Sequence, residues 1–278
     1  MQKLINYIKY LLAFYFSHNP AQLDNEVELD DENNMTTIEP TEDGEDEPII
    51  EDTTIEEPMS NKNYSNVIVC LDNGHGEETP GKRSPYSAKG IPPKLPFREY
   101  QYCREIVERL KNELVELGFE VFVVTPETWD VKLTPRANRV NQVAAEAKKE
   151  GKHTLMISVH NNAAGNGDAW KEAYGWSAWT TKGKTNSDKL ADSLYKAAEE
   201  VLLPLNQKIR KDFSDGDPDY EENFTIIYKS NCPAVLTENM FQDCIKEVEF
   251  LLSEEGRAAI VEIHKRGIID FCEKMEWC

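Results

Sequence analysis

Two histidines and a glutamate stand where alternating strands and helices place their chemistry. His75 lies in Leu71-Asp72-Asn73-Gly74-His75-Gly76, just after a short apolar run. His160 follows a second such run, in Ile157-Ser158-Val159-His160-Asn161-Asn162. Glu238 follows a third, in Val235-Leu236-Thr237-Glu238-Asn239. Ionisable groups at the ends of three strands can converge in one cleft. Neutral imidazoles with a carboxylate are the ligand set of a catalytic zinc ion, which keeps one position open for water. Gly74 and Gly76 let the loop turn tightly and leave room beside His75. Each residue also has a plainer reading, because a lone histidine is more often a hydrogen-bonded structural residue. His18, His153 and His264 are read that way. Glu99 opens a helix, where attraction to the helix dipole is enough to explain a carboxylate.

The elements that must position these groups follow from periodicity. Residues 66–71, 119–124 and 154–159 are apolar runs and read as buried strands. Residues 174–180, 224–229 and 234–237 read as further strands. Phe97 to Leu117 carries Ile106, Val107, Leu110, Leu114 and Leu117 at helical spacing, with Gly118 as the stop. Thr134 to Lys149 reads as a helix capped by Thr134, with Pro135 in its first turn. Residues 187–203, 247–252 and 255–271 complete the helices, and residues 212–223 form a polar loop. Nearly continuous apolar strands alternating with helices predict an α/β fold: a single domain with a mostly parallel twisted sheet and helices on both faces. Sites in such sheets lie beyond the carboxyl ends of the strands, where His75, His160 and Glu238 fall.

Charge divides the chain. Its 278 residues hold 51 acids against 31 bases, a net charge of −20. Residues 20–58 hold sixteen acids and no Lys or Arg, and residues 1–19 add only Lys3 and Lys9, so residues 59–278 keep 35 acids against 29 bases, a net −6. Three regions follow: an apolar, amphipathic segment over 1–19, a solvated and disordered acidic linker over 20–63, and a folded domain over 64–278. The absence of a clustered basic face argues against nucleic acid as a main partner. No run of about 20 apolar residues exists. Residues 1–17 fit a weak export signal, weak membrane association, or a non-targeting amphipathic helix. Six cysteines without a CxxC spacing read as buried or incidental thiols, with a Cys272–Cys278 pair left open.

In order and wording, several blocks between about residue 66 and residue 270 resemble the zinc-dependent N-acetylmuramoyl-L-alanine amidases of the amidase_3 family. The blocks are Leu71-Asp72-Asn73-Gly74-His75-Gly76, Glu99 nineteen residues before Gly118, Leu133-Thr134-Pro135-Arg136 through Asn141, Ser158-Val159-His160-Asn161-Asn162-Ala163, and Pro233-Ala234-Val235-Leu236-Thr237-Glu238-Asn239-Met240-Phe241. The resemblance implies one zinc ion per chain held by His75, Glu99 and His160, with Glu238 as the catalytic carboxylate. Asn162 and Arg136 are the candidate substrate-binding residues, although Arg136 also fits a structural ion pair. The chain departs from the family pattern at Glu77-Glu78-Thr79-Pro80-Gly81, in the Pro-rich loop running to Phe97, at Met240 (customarily Gly), and at Cys244 (customarily Asn). These changes bear on pocket shape and suggest a phage-like branch.

What the resemblance implies is hydrolysis of the amide between N-acetylmuramic acid and L-alanine in peptidoglycan, at the cell wall, for lysis or remodelling. Zinc would lower the pKa of its water from 15.7 to roughly 7 and polarise the lactyl carbonyl. Glu238 would carry the proton to the leaving amine. Trp170, Tyr174, Trp176 and Trp179 fit core packing or a groove that stacks on sugars. A zinc carboxypeptidase using His75, Glu78 and His160, and a wall-binding module without catalysis, are the alternatives. The targeting reading of the N-terminus has a direct check: a reporter fused to residues 1–22 is expected in the envelope, and a soluble cytosolic reporter would exclude it.

Overall fold

β1 (Val67–Asn73) is buried along its whole length, as a strand covered on both faces must be. It belongs to a computed structural model that describes residues 62–86 and 96–278. The apolar segment 1–19, nearly all of the acidic linker, and residues 87–95 of the Pro-rich loop lie outside the described residues. The sheet adds β2 (Glu120–Val123), β3 (His153–Asn162), β4 (Ser177–Thr180), β5 (Tyr220–Glu221) and β6 (Ala234–Phe241), in the order β2-β1-β3-β6-β4-β5. β2, β1, β3 and β6 run parallel; β4 is antiparallel to β6, and β5 is parallel to β4. The mostly parallel sheet is therefore present, with a short reversed edge.

Among the described residues six helices cover it: α1 (Glu99–Glu116), α2 (Leu133–Lys149), α3 (Asn186–Leu202), α4 (Thr225–Tyr228), α5 (Ile245–Leu252) and α6 (Glu254–Lys274). The alternation of side chains along each strand sorts the core into two layers. Val67, Val69 and Leu71 of β1 join Ile157 and Val235 in one cluster with Leu110 of α1, Leu194 of α3 and Phe271 of α6. On the opposite face Ile68, Cys70 and Met156 are buried under α2, whose Val140 and Val143 are also buried. Gly118 ends α1 in the left-handed conformation (φ 93°), and the Phe119 N–H returns to the Leu114 carbonyl at 3.0 Å.

Three local expectations are corrected. Residues 224–229 are not a strand: residues 225–228 close a single helical turn, in which the Tyr228 N–H donates to the Phe224 carbonyl (2.8 Å) and the Lys229 N–H to the Thr225 carbonyl (3.1 Å), so the backbone is satisfied locally and not by a neighbouring strand. Thr134 is not the cap of α2. The helix already begins at Leu133 after Lys132, and the Thr134 hydroxyl accepts from Lys229 Nζ at 3.1 Å. β3 and β6 are longer than the apolar runs announce, so His160 and Glu238 sit within strands and not beyond them. All six cysteines are free, Cys272 and Cys278 included. Among the described residues no helix is long and apolar enough to cross a membrane.

The last helix is tied to the strand carrying Glu238 by a buried imidazole. His264 is fully buried; its Nδ1–H donates to the Ile260 carbonyl (2.7 Å) and Nε2 accepts from the Thr237 hydroxyl (2.9 Å). Only the neutral ring can do both. Burial pushes its pKa down to about 4, while the unfolded chain titrates near the ordinary 6.5. Between these values the unfolded state binds more protons, so stability is full above about pH 6.5 and is lost as the pH falls toward 4. The loss approaches about 3 kcal/mol at 1.36 kcal/mol per unit. Urea unfolding of the native chain and of His264→Gln at about pH 7 and about pH 4.5 should show a smaller pH-dependent loss in the variant; equal losses would refute the assignment.

Candidate active site

Glu99 is the first helical residue of α1, yet it is completely buried at the carboxyl end of the sheet. The Arg83–Arg98 bridge precedes it, and its own N–H donates to the Lys82 carbonyl at 3.2 Å. His75 comes from the turn after β1, where it adopts φ 61°, a left-handed conformation uncommon outside glycine. His160 comes from β3, and β6 sets Glu238 directly opposite it in parallel register. Four separate elements thus deliver four side chains to one place.

The atoms converge closely. One ligand atom from each of His75, Glu99 and His160 lies within 4.8 Å of the others. Glu99 Oε1 is 3.2 Å from His160 Nδ1 and 3.4 Å from His75 Nε2, and the two imidazole rings meet edge to face at 5.0 Å. Oε1 also accepts the Asn161 N–H at 3.0 Å, and Oε2 accepts Gln242 Nε2 at 2.9 Å. His75 Nε2 and Glu238 Oε2 are buried without a hydrogen-bond partner among the described residues. Orphaned buried polar atoms are rare and call for a ligand, an ion or water. Two imidazoles, one carboxylate and an orphaned imidazole nitrogen fit a zinc ion.

Electrostatics divides the carboxylates. Burial disfavours the charge on Glu99, but its contacts with His160 and His75 outweigh this and hold its pKa low. Burial lowers the His75 pKa against the pull of Glu99. At His160 burial acts the same way, and the Glu99 contact overcomes it, so the pKa is raised. Glu238 has no such hydrogen bonds, and burial pushes it up to about 7 despite the nearby His160.

Other candidates are placed differently. Arg136 is 1% exposed, and its guanidinium reaches Val131 O (2.7 Å), Asp72 Oδ1 (3.1 Å), Asn73 O (2.7 Å), His75 O (3.2 Å) and Asp130 Oδ1 (3.2 Å). All five donors are engaged, as the ion-pair reading expects, and they hold the turn that carries His75. Asn162 lies at the end of β3, with Oδ1 accepting the Ala163 N–H at 2.8 Å. Glu78 is exposed and accepts the Asp130 N–H at 2.9 Å, away from the His75–Glu99–His160 group. Trp176 is fully buried and donates to Asn239 Oδ1 at 2.9 Å, Trp179 stacks on Tyr220, and Tyr174 is exposed. The aromatic cluster is thus split between core and surface.

Sequence reasoning missed two contributors. Gln242 orients Glu99, but its type and position say nothing of this. Asn239 donates to the His160 carbonyl (3.0 Å) and accepts from Asn161 Nδ2 through its own carbonyl (2.5 Å). Its polar side chain on a buried strand, one residue after Glu238, was the available signal.

Residues 69–270 match the model of the Amidase_3 family, N-acetylmuramoyl-L-alanine amidase, and the chain belongs to that family. An endolysin of Bacillus phage SPP1 is 28% identical over 207 residues, which cover 73% of this chain and 65% of that protein. Among solved structures, an N-acetylmuramoyl-L-alanine amidase from Clostridium difficile 630 superposes with a TM-score of 0.59 at 22% identity, over 74% of this chain and 97% of its own. The amidase AmiC2 of Nostoc punctiforme gives 0.57 at 19% identity, over 75% and 98%. These structural likenesses bear on the fold.

Close packing makes one backbone position critical. A Cβ on Gly74 would lie 2.5 Å from His160 Nδ1 and 2.7 Å from its Cε1. Gly74→Ala must therefore displace the ring. Chelator competition is expected to show zinc affinity reduced by about 10-fold or more, with the far-ultraviolet circular dichroism unchanged. Unaltered affinity would show that the ring has room to move.

Proposed function

We propose that this chain hydrolyses the amide bond between N-acetylmuramic acid and the L-alanine of the stem peptide in peptidoglycan, with one zinc ion held by His75, Glu99 and His160. The reading is carried by the convergence of those three side chains within 4.8 Å beside Glu238, in a chain of the amidase family. When bound there, zinc supplies Lewis acidity toward a carbonyl and makes water more acidic. Glu99 contributes a ligand oxygen whose carboxylate is kept in place by the Asn161 N–H and the Gln242 amide. Glu238 Oε2, which has no hydrogen-bond partner among the described residues, takes the proton from the attacking water and returns it to the nitrogen of the departing L-alanine. The exposed position of Glu78 weighs against the carboxypeptidase alternative, because that reading needs it as a ligand. Likeness to a phage endolysin supports a lytic role at the cell wall.

Zinc analysis combined with product identification tests the proposal. His75→Ala and His160→Ala are expected to lose zinc, whereas Glu238→Gln should retain it and lose turnover by roughly 10²- to 10⁴-fold. Mass spectrometry of digested muropeptides should find an intact stem peptide beginning with L-alanine. Loss of only a terminal D-alanine, or zinc stoichiometry near zero in the unmutated chain, would overturn the reading.

A further inference from the structure

The far end of the sheet holds a second concentration of carboxylates. β4 pairs Ser177 with Glu238 and then runs away from the site toward Thr180. Around Thr180 gather Asp188 and Asp192 of α3, Asp217 and Asp219 of the preceding loop, and Glu221 of β5, linked by mutual electrostatic contacts. Among the described residues none of these five is in an ion pair; Asp219 is buried, Asp188, Asp217 and Glu221 are half-buried, and Asp192 is exposed. The Thr180 hydroxyl donates to Asp219 Oδ2 at 2.6 Å, and Asp188 Oδ2 accepts the Thr185 N–H at 2.5 Å.

The remaining oxygens are the informative ones. Asp219 is 1% exposed, and its Oδ1 is buried with no hydrogen-bond partner. Asp217 Oδ1 is buried and unpartnered as well, and the Asp217 carboxyl is close enough to share a hydrogen bond with a protonated Asp219 and to repel it when ionised. Ionised carboxylates are acceptors only, so two such neighbours need a shared proton or a cation between them. Burial and these neighbours together push the Asp219 carboxyl up to about 8 when nothing else compensates it. The loop sequence suits a hard cation: acids alternate in Asp215-Gly216-Asp217-Pro218-Asp219, and Gly216 makes the sharp turn at φ 114°. Alternating carboxylates with a glycine turn are what oxygen-ligating calcium loops use.

We propose that Asp217 and Asp219, with Asp188 beside them, bind a hard divalent cation of the calcium class. Asp217 Oδ1 and Asp219 Oδ1 are the anchoring ligands, and carbonyl oxygens and water complete the shell. The cation joins the 212–219 loop and the edge strand β5 to the start of α3, at the opposite end of the sheet from His75, Glu99 and His160. Its role is to fasten the short reversed edge of the sheet. It takes no part in hydrolysis, and the inference stands apart from the proposed activity.

The test uses the full-length, zinc-loaded chain. Titration with calcium chloride should give binding with a dissociation constant on the order of 10⁻⁴ to 10⁻³ M, the range of extracellular calcium modules. Millimolar calcium should raise the thermal midpoint by several degrees, and magnesium should do so less. Asp217→Asn and Asp219→Asn should lose that response, yet be no less stable than the unmutated chain in calcium-free buffer, because each relieves the repulsion between the two carboxylates. Terbium should show emission sensitised by Trp179, which stacks on Tyr220 with ring centroids 4.7 Å apart, and calcium should displace it. Asp217→Asn and Asp219→Asn should lose this emission, which separates the site from terbium held by other carboxylates. A calcium response of equal size in both variants would assign the binding elsewhere and overturn the proposal. So would no calcium response together with stability that rises as the pH is lowered through about 8, which would mean that the pair shares a proton.

Discussion

A carboxylate removed entirely from water is unfavourable by several kcal/mol unless its surroundings replace what the solvent supplied. Glu99 is such a group, and the rest of the site is arranged about it. One oxygen faces two imidazoles and a backbone N–H, and the other receives a carboxamide from Gln242. Meeting that requirement fixes more than Glu99. It sets the start of α1 against β3 and against the segment after β6, and it draws His75 Nε2 to within 3.4 Å. The parallel pairing of β3 with β6 then carries Glu238 to its place opposite His160, with its Oε2 unpartnered among the described residues.

The sheet and most helices were legible because burial on both faces leaves long apolar runs, and because Gly118 and Pro135 mark element boundaries. His75, His160 and Glu238 were legible for the same reason, each coming directly after such a run. Glu99 was not legible from periodicity, since a carboxylate in a first helical turn needs no further cause; only the order of the family motifs singled it out. The Ile226–Ile227 turn was misread because so short an apolar run suits either period. Gln242 and Asn239 act through three-dimensional neighbours distant in the chain, and no local pattern encodes that.

The departures from the family pattern now have structural settings. Met240 stands where glycine is customary and adopts a left-handed backbone, with φ 65° and a fully buried side chain. Such a conformation costs a non-glycine residue roughly 1–2 kcal/mol, so burial of the thioether offsets strain at that point. Cys244, where asparagine is customary, is buried and precedes α5 as its cap residue, with its N–H donated to the Phe241 carbonyl at 3.1 Å and no side-chain cap bond. Both residues lie within six positions of Glu238. Sequence change close to the candidate site thus leaves His75, Glu99, His160 and Glu238 in place.

The six unpaired thiols carry a consequence for where the chain can mature. Burial pushes the thiols of Cys70 and Cys103 well above the ordinary range and that of Cys272 up to about 12, so they remain protonated and sluggish toward oxidants. No covalent cross-link has to form for the core to close. The fold is accordingly indifferent to the redox state of its surroundings, and the same structure can be reached in a reducing cell interior and kept in an oxidising envelope.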